Sequence, residues 1–211
     1  MSTPRLLHTA SDWFVLEKPA GWHSVVGATE GGDVVESWLR ETFPAQRTLP
    51  EAGLVHRLDR DTSGCLLVAA TPASHERWRD RFRSGNGVRK HYVALAAPGL
   101  PASGHVTYFF TSRHKGSKKV TVRTTGEPAH AGRSAWRVLQ RGVEGDVVEL
   151  ELVGPGRRHQ LRATCAALGH PLVGDVLYGG VDAPSVRLHA HRLTIDDITV
   201  ESPLPAWARG A

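Results

Sequence analysis

The order of apolar and polar positions divides the chain into strands and helices. Trp13-Phe14-Val15-Leu16 is an apolar run with the length of a short strand, and Lys18-Pro19-Ala20-Gly21 stops it, with Pro19 and Gly21 making a turn. Val34, Val35, Trp38 and Leu39 recur at helical spacing, Asp33 is placed to cap that helix, and Pro44 ends it. Residues 44–53 read as a loop leading to the stretch 54–69. There the apolar run Cys65 to Ala70 predicts a buried strand, leaving a turn built from Asp61, Thr62, Ser63 and Gly64. Thr71 and Pro72 then open a second helix to about Arg83, with Trp78 and Phe82 on its inner edge and arginines outside. Ser84-Gly85-Asn86-Gly87 ends it.

A series of strands follows at 89–95, 104–111, 118–124, 134–140 and 146–153, joined by turns as in an antiparallel or mixed sheet. Gly154-Pro155-Gly156 breaks the series. From Arg157 to Leu168 the period becomes helical: Leu161, Cys165 and Leu168 line one face, Arg158 and Arg162 share another, and Gly169 is a natural C-cap. Residues 170–180 are rich in turns, a strand is expected from Val186 to Ile195, and a polar tail carries Pro203 and Pro205. The fold class expected is α+β, with a mixed, largely antiparallel sheet and flanking helices.

Composition narrows this. The 211 residues suit one large domain or two small lobes sharing a sheet, and a chain of this length buries roughly 70% of its unfolded surface. With 40% hydrophobic residues and no low-complexity tract, disorder is expected only at the ends. The formal charge is +5, and it is clustered. Residues 77–90 carry Arg77, Arg79, Arg81, Arg83, Arg89 and Lys90 against Asp80; residues 113–123 carry Arg113, Lys115, Lys118, Lys119 and Arg123 with no acid. Such clusters suit a polyanion or form a solvated face. Cys65 and Cys165 lie in apolar stretches and read as free buried thiols in a reducing cytoplasm. No apolar run has the length of a membrane span, and the N-terminus lacks the apolar core of a signal peptide.

The chain has neither Gly-x-Gly-x-x-Gly nor a Walker loop, so no nucleotide cofactor is signalled. His189 and His191 share one side of a strand without a carboxylate or cysteine partner, so no metal is signalled either. The strongest chemical candidate is Asp59, set among His56, Arg57 and Arg60 before the 61–64 turn. Arg57, two residues away on a strand-like segment, projects to the same side, and Arg162 is another possible partner. A paired arginine keeps a carboxylate ionised and oriented, as a nucleophile or base requires. The local residues leave two readings open, a reactive carboxylate or a structural ion-pair network. A glycosidic hydrolase would want two facing carboxylates, and only Asp59 has such a context.

Residues 56–68, His-Arg-Leu-Asp-Arg-Asp-Thr-Ser-Gly-Cys-Leu-Leu-Val, resemble the signature of the RluA family of pseudouridine synthases. Phe14 to Gly21 is similar to the family's Lys-Pro-Ala-Gly motif, and Lys90 to Ala94 to its Lys-x-Tyr motif. Gly156 to Arg162, then Leu168 to Asp175 and Tyr178-Gly179, are similar to its C-terminal motif. The resemblance spans about residues 13–205, in the family's order. It implies a pseudouridine synthase fold with a central active-site cleft. It also implies isomerisation of uridine in structured RNA, either tRNA or large-subunit rRNA, without cofactor or metal. Asp59 matches the essential aspartate, Tyr92 the tyrosine that stacks on the base, and Arg162 the basic partner of the aspartate. Arg57 matches the residue that holds the flipped-out position open, and Leu161 an apolar lining of the uracil pocket. His56, Arg60, Lys90 and Arg158, polar residues of the same motifs, are expected to bind substrate. A non-catalytic RNA-binding protein of the same fold is the rival reading, opposed by the intact Asp59, Tyr92 and Arg162.

Cys65 replaces a usual leucine, Arg158 a common Thr or Ser, and Thr164 a common His; the usual Val-His-Pro after the first motif is Trp22-His23-Ser24-Val25 here. These departures bear on which RNA is bound more than on activity. The expected organisation is an N-terminal extension over 1–12 and a catalytic domain over 13–208, with no S4-type RNA-binding domain, in a cytoplasmic monomer.

Overall fold

The computed structural model describes residues 2–27, 32–112, 114 and 116–209. Its strands are β1 (Arg5–Thr9), β2 (Trp13–Lys18), β3 (Ser63–Ala69), β4 (Val88–Ala96), β5 (Ser103–Ser112), β6 (Val120–Arg123), β7 (Ala131–Gln140), β8 (Asp146–Val153), β9 (Leu188–Ile195) and β10 (Ile198–Glu201). The helices are α1 (Val35–Thr42), α2 (Pro72–Ser84) and α3 (Gln160–Ala167). The class is α+β, as the pattern predicted. The chain divides into two compact units, one running up to Val88 and including Ala190–Pro203, the other comprising Arg89–His189 and the segment from Leu204.

In the first unit the strand order is β1-β2-β3-β9, with β10 beside β9. β2 pairs antiparallel with both β1 and β3, placing Leu16 opposite Leu66 and Phe14 opposite Val68. A strand flanked on both edges and covered on both faces can be apolar throughout, which is why the 13–16 run does not alternate. Trp13, Val15, Cys65, Leu67, Trp78, Phe82 and Leu193 share one core. α2 supplies its two aromatics as its spacing predicted. A reciprocal cap starts it: Ser74 N–H donates to Thr71 Oγ1, and Thr71 N–H to Ser74 Oγ, both at 3.1 Å. Several arginines of α2 are engaged at the surface, Arg77 with Asp12 (2.7 Å), Arg83 with Asp80 (3.1 Å) and Arg81 with Asp196. Three of the six cations of the 77–90 cluster are thus paired with acids of the first unit.

Gly64 opens β3 at φ +110, and a Cβ there would stand 2.3 Å from the Ala190 carbonyl oxygen. Only glycine allows that backbone approach.

In the second unit the order is β4-β8-β7-β5-β6, and each adjacent pair is antiparallel. Alternation sorts β4: Lys90 and Tyr92 point to one face, Val93 to the other. Lys90 stands opposite Leu152, and Leu152 opposite Ser134 of β7, so the three share that face. Gln160 at the start of α3 donates to Ser134 Oγ (3.0 Å), which puts α3 on the same face as Lys90 and Tyr92. On the opposite face Val93 and Val147 pack with Ala208.

The structure corrects several expectations. Asp33 does not cap α1. Its N-cap is Val34, without a side-chain bond, and the Val35 and Glu36 amides donate instead to the carbonyls of His23 (2.9 Å) and Ser24 (3.1 Å). Residues 44–53 hold two 3-10 turns rather than open loop. Residues 55–59 form no strand, so Arg57 and Asp59 do not share a strand face. The helix expected from Arg157 begins at Gln160, whose Oε1 accepts from the Arg157 amide (2.9 Å); Arg158 lies before the helix and shares no helical face with Arg162. β1 lies within the expected extension 1–12, and β10 within what read as tail. Arg113 and Lys115 of the second basic cluster lie outside the described residues.

Both cysteines are buried, and burial pushes each thiol up to about 12. A thiol reagent at pH 8 should therefore label neither Cys65 nor Cys165 in the native protein and both in denaturant. Rapid native labelling would contradict that packing.

Candidate active site

Asp59 lies in a loop without ladder partners, so other groups must hold it. Ser24 does so at Leu58: its hydroxyl donates to the Leu58 carbonyl (2.8 Å) and accepts from the Leu58 amide (3.0 Å). Lys18 does so at Arg60. Its side chain is fully buried, and Nζ donates to the carbonyls of Pro19 (2.9 Å), Trp22 (2.7 Å) and Arg60 (2.8 Å). Gly21 N–H also donates to the Arg60 carbonyl (2.9 Å), and Thr62 N–H to the Asp59 carbonyl (3.1 Å). The 18–22 turn is therefore fastened to the backbone on the C-terminal side of Asp59. Burial pushes the Lys18 ammonium down to about 7, while the charges of Asp61 and Asp59 pull it back up. Only the ammonium carries three N–H groups to match three carbonyls.

His56 fixes the other side of the loop. Leu67 N–H donates to His56 Nε2 (3.0 Å), and the ring stacks on Phe82 with centroids 4.2 Å apart. A backbone amide only donates, so Nε2 carries no proton and the neutral ring holds its hydrogen on Nδ1. Arg57 and Arg60 are exposed, and Asp59 is half-buried.

In the second unit a turn leads into α3. Lys90 Nζ donates to the Gly154 carbonyl (2.8 Å), pinning the start of that turn, and burial lowers the Lys90 ammonium to about 8. Arg158 is exposed and donates to the Ser117 carbonyl (2.7 Å), tying the turn to the segment between β5 and β6. His159 adopts φ +53 just before the helix, and its Nδ1 lies 3.1 Å from the Tyr178 hydroxyl. Arg162 meets Asp175 in a two-point fork, Nε to Oδ2 at 2.7 Å and Nη2 to Oδ1 at 2.8 Å. Tyr92 and Leu161 are buried.

The residues singled out from sequence thus fall into two groups. Asp59, His56, Arg57 and Arg60 belong to the first unit; Tyr92, Lys90, Arg158, Leu161 and Arg162 belong to the second. Three residues were missed as supports, Ser24 among them, since a lone serine between His23 and Val25 gives no sign of its two bonds to Leu58. Lys18 stood inside a motif without a role, although a lysine closing a strand that opens with four apolar residues was a signal. Asp175 stood in a turn-rich segment 13 positions beyond Arg162, with nothing local to link them.

A family model described as RNA pseudouridylate synthase matches residues 12–167. The chain is 33% identical to an uncharacterized RNA pseudouridine synthase of Zymomonas mobilis, over 95% of this chain and 94% of that one. It is 33% identical to the ribosomal large subunit pseudouridine synthase D of Xylella fastidiosa over 83% of its own length, and it spans only about half (51%) of that relative. It is 31% identical to the dual-specificity RNA pseudouridine synthase RluA of Salmonella typhi, covering 90% of this chain and 85% of the relative. Among solved structures, human RNA pseudouridylate synthase domain containing 4 shares the fold with a TM-score of 0.74 at 22% identity, over 97% of this chain and 90% of that one. The family model covers the Asp59 loop, the Tyr92 strand and α3, the segments whose geometry is described above. On that match the chain belongs to the RNA pseudouridylate synthase family.

Proposed function

We propose that the protein isomerises uridine to pseudouridine in structured RNA, using Asp59 and no cofactor. The observation that carries this reading is the fastening of the Asp59 loop. A buried ammonium and a buried serine hydroxyl hold the backbone on either side of Asp59, a residue that is itself only partly buried. Structural carboxylates are seldom given such support while left reachable, whereas a reacting one needs both.

The reaction is redox-neutral and needs no external reagent. The bond between uracil N1 and ribose C1′ breaks, the uracil turns, a bond forms between C5 and C1′, the C5 proton leaves, and N1 ends with a proton in its place. Asp59 acts first, by attack on sugar or base or by taking the C2′ proton. Tyr92 presents its ring to the extruded base, which must leave its stack to be reached. Arg162 partners the aspartate, Arg57 occupies the vacated position, and Leu161 lines the pocket. Lys118, Lys119 and Arg158, with Arg113 and Lys115, supply phosphate contacts, so affinity should fall steeply with salt. The substrate is tRNA or large-subunit rRNA, met in the cytoplasm.

The test uses RNA tritiated at uridine C5. Incubation with the protein should release tritium in step with pseudouridine formation. No release above background from any cellular RNA fraction would sink the reading.

A further inference from the structure

We propose that Asp175 is a positioning residue for this reaction, acting through Arg162. This rests on the reading that Arg162 works at the reacting centre. The fork engages the Nε and Nη2 edge of the guanidinium and leaves Nη1 outside it. Two parallel charge-assisted bonds fix both the plane of the group and its rotation about the side chain, which a single contact cannot do. The Asp175 side chain is fully buried and that of Arg162 is 10% exposed, so water does not compete for either.

Asp175 is itself held rigidly. Its amide donates to the Leu172 carbonyl (3.1 Å), and its carbonyl accepts from the amides of Tyr178 (3.0 Å) and Gly180 (2.9 Å). Just before it, Gly174 takes φ +81, where a Cβ would fall 2.0 Å from the Ser185 carbonyl oxygen. The turn therefore admits one path, and Asp175 is placed by backbone bonds independent of Arg162.

Tyr178 closes the assembly from the side. Its ring lies 5.4 Å from the Arg162 guanidinium carbon, and its hydroxyl accepts from the Val120 amide (3.0 Å). The segment 172–180 thus grips the arginine by charge at one edge and by an aromatic face at another. Such a grip does more than neutralise a buried charge: it sets the direction of the remaining donors. An angular error of that kind costs rate rather than affinity.

The test compares Asp175→Asn, Arg162→Gln and the double variant in single-turnover tritium release, with RNA affinity measured in parallel. Asp175→Asn should lower the rate constant by about 100-fold, with affinity for the RNA unchanged. In the Arg162→Gln background it should cost nothing further, within about twofold. The double variant removes both buried charges together, so it also decides the question if Asp175→Asn alone fails to fold. An equal further loss in the double variant would overturn the proposal, as would a wild-type rate in folded Asp175→Asn. Failure of wild-type protein to release any tritium would instead remove the isomerase reading itself.

Discussion

Asp59→Asn is expected to lower tritium release by about 10⁴-fold or more while leaving RNA affinity close to wild type. The size follows from removing a group that forms or breaks bonds, as distinct from one that merely binds. Asparagine keeps the shape but is neither a nucleophile nor a base at neutral pH. The fold should survive, because the loop is held through main-chain atoms and Ser24, not through this carboxylate alone. A second readout is available in the same variant. The Asp59 charge raises the Lys18 pKa, so its loss should lower the titration of Lys18 further. Wild-type release from the variant would keep the reaction and dismiss Asp59 as its agent.

Lys18→Met is expected to destabilise the protein markedly, although Lys18 is no part of an apolar cluster. The carbonyl oxygens of Pro19, Trp22 and Arg60 each lose the Lys18 bond at once, and Arg60 keeps the one from Gly21 N–H. Relief from burying a charge offsets part of this, leaving a loss of about 2–4 kcal/mol. Denaturant midpoints would measure it, and release rates would fall as the Asp59 loop loosens. The pH dependence has a definite sign. With a folded pKa of about 7 against 10.5 for the ordinary group, the unfolded chain binds more protons between those values. The Lys18 contribution to stability therefore rises with pH across that window, and is at its least favourable below pH 7. The methionine variant should lack this rise. An unchanged midpoint and an unchanged pH slope would show that the three carbonyls do not depend on Lys18.

How far the sequence disclosed this molecule depended on whether each signal was local. The strand at 13–18 and α2 were legible, because an apolar run and a Thr-Pro start are local statements. β10 was not. It returns from β9 through Asp196-Asp197, a turn without the glycine that normally announces a hairpin. β1 is a half-exposed edge strand with a register shift near Leu6 and His8, too irregular to leave a periodic trace. The loop at 55–59 misled because Val55 and Leu58 are buried as strand residues would be, while Ser24 supplies the bonds a neighbouring strand would have given.

The candidate site divides in the same way. Asp59, Tyr92 and Arg162 were identifiable as residue types in recognisable company. Their supports were not, since composition rules place lysine at the surface and Lys18 is fully buried. The Arg162–Asp175 fork depends on a backbone turn whose shape no pairwise spacing encodes.

The division of the chain bears on how the protein is made. The first unit begins at the N-terminus but takes Ala190–Pro203 as well, while all of Arg89–His189 belongs to the other. At ribosomal speeds of about 5–20 residues per second, its N-terminal portion waits roughly 5–20 s for β10 and most of β9 to be synthesised. During that interval the apolar strand β3 lacks the neighbour that Gly64 is shaped to receive. The nascent chain is then at its most exposed to chaperones and proteases, and a premature stop anywhere before residue 190 strands both units unfinished.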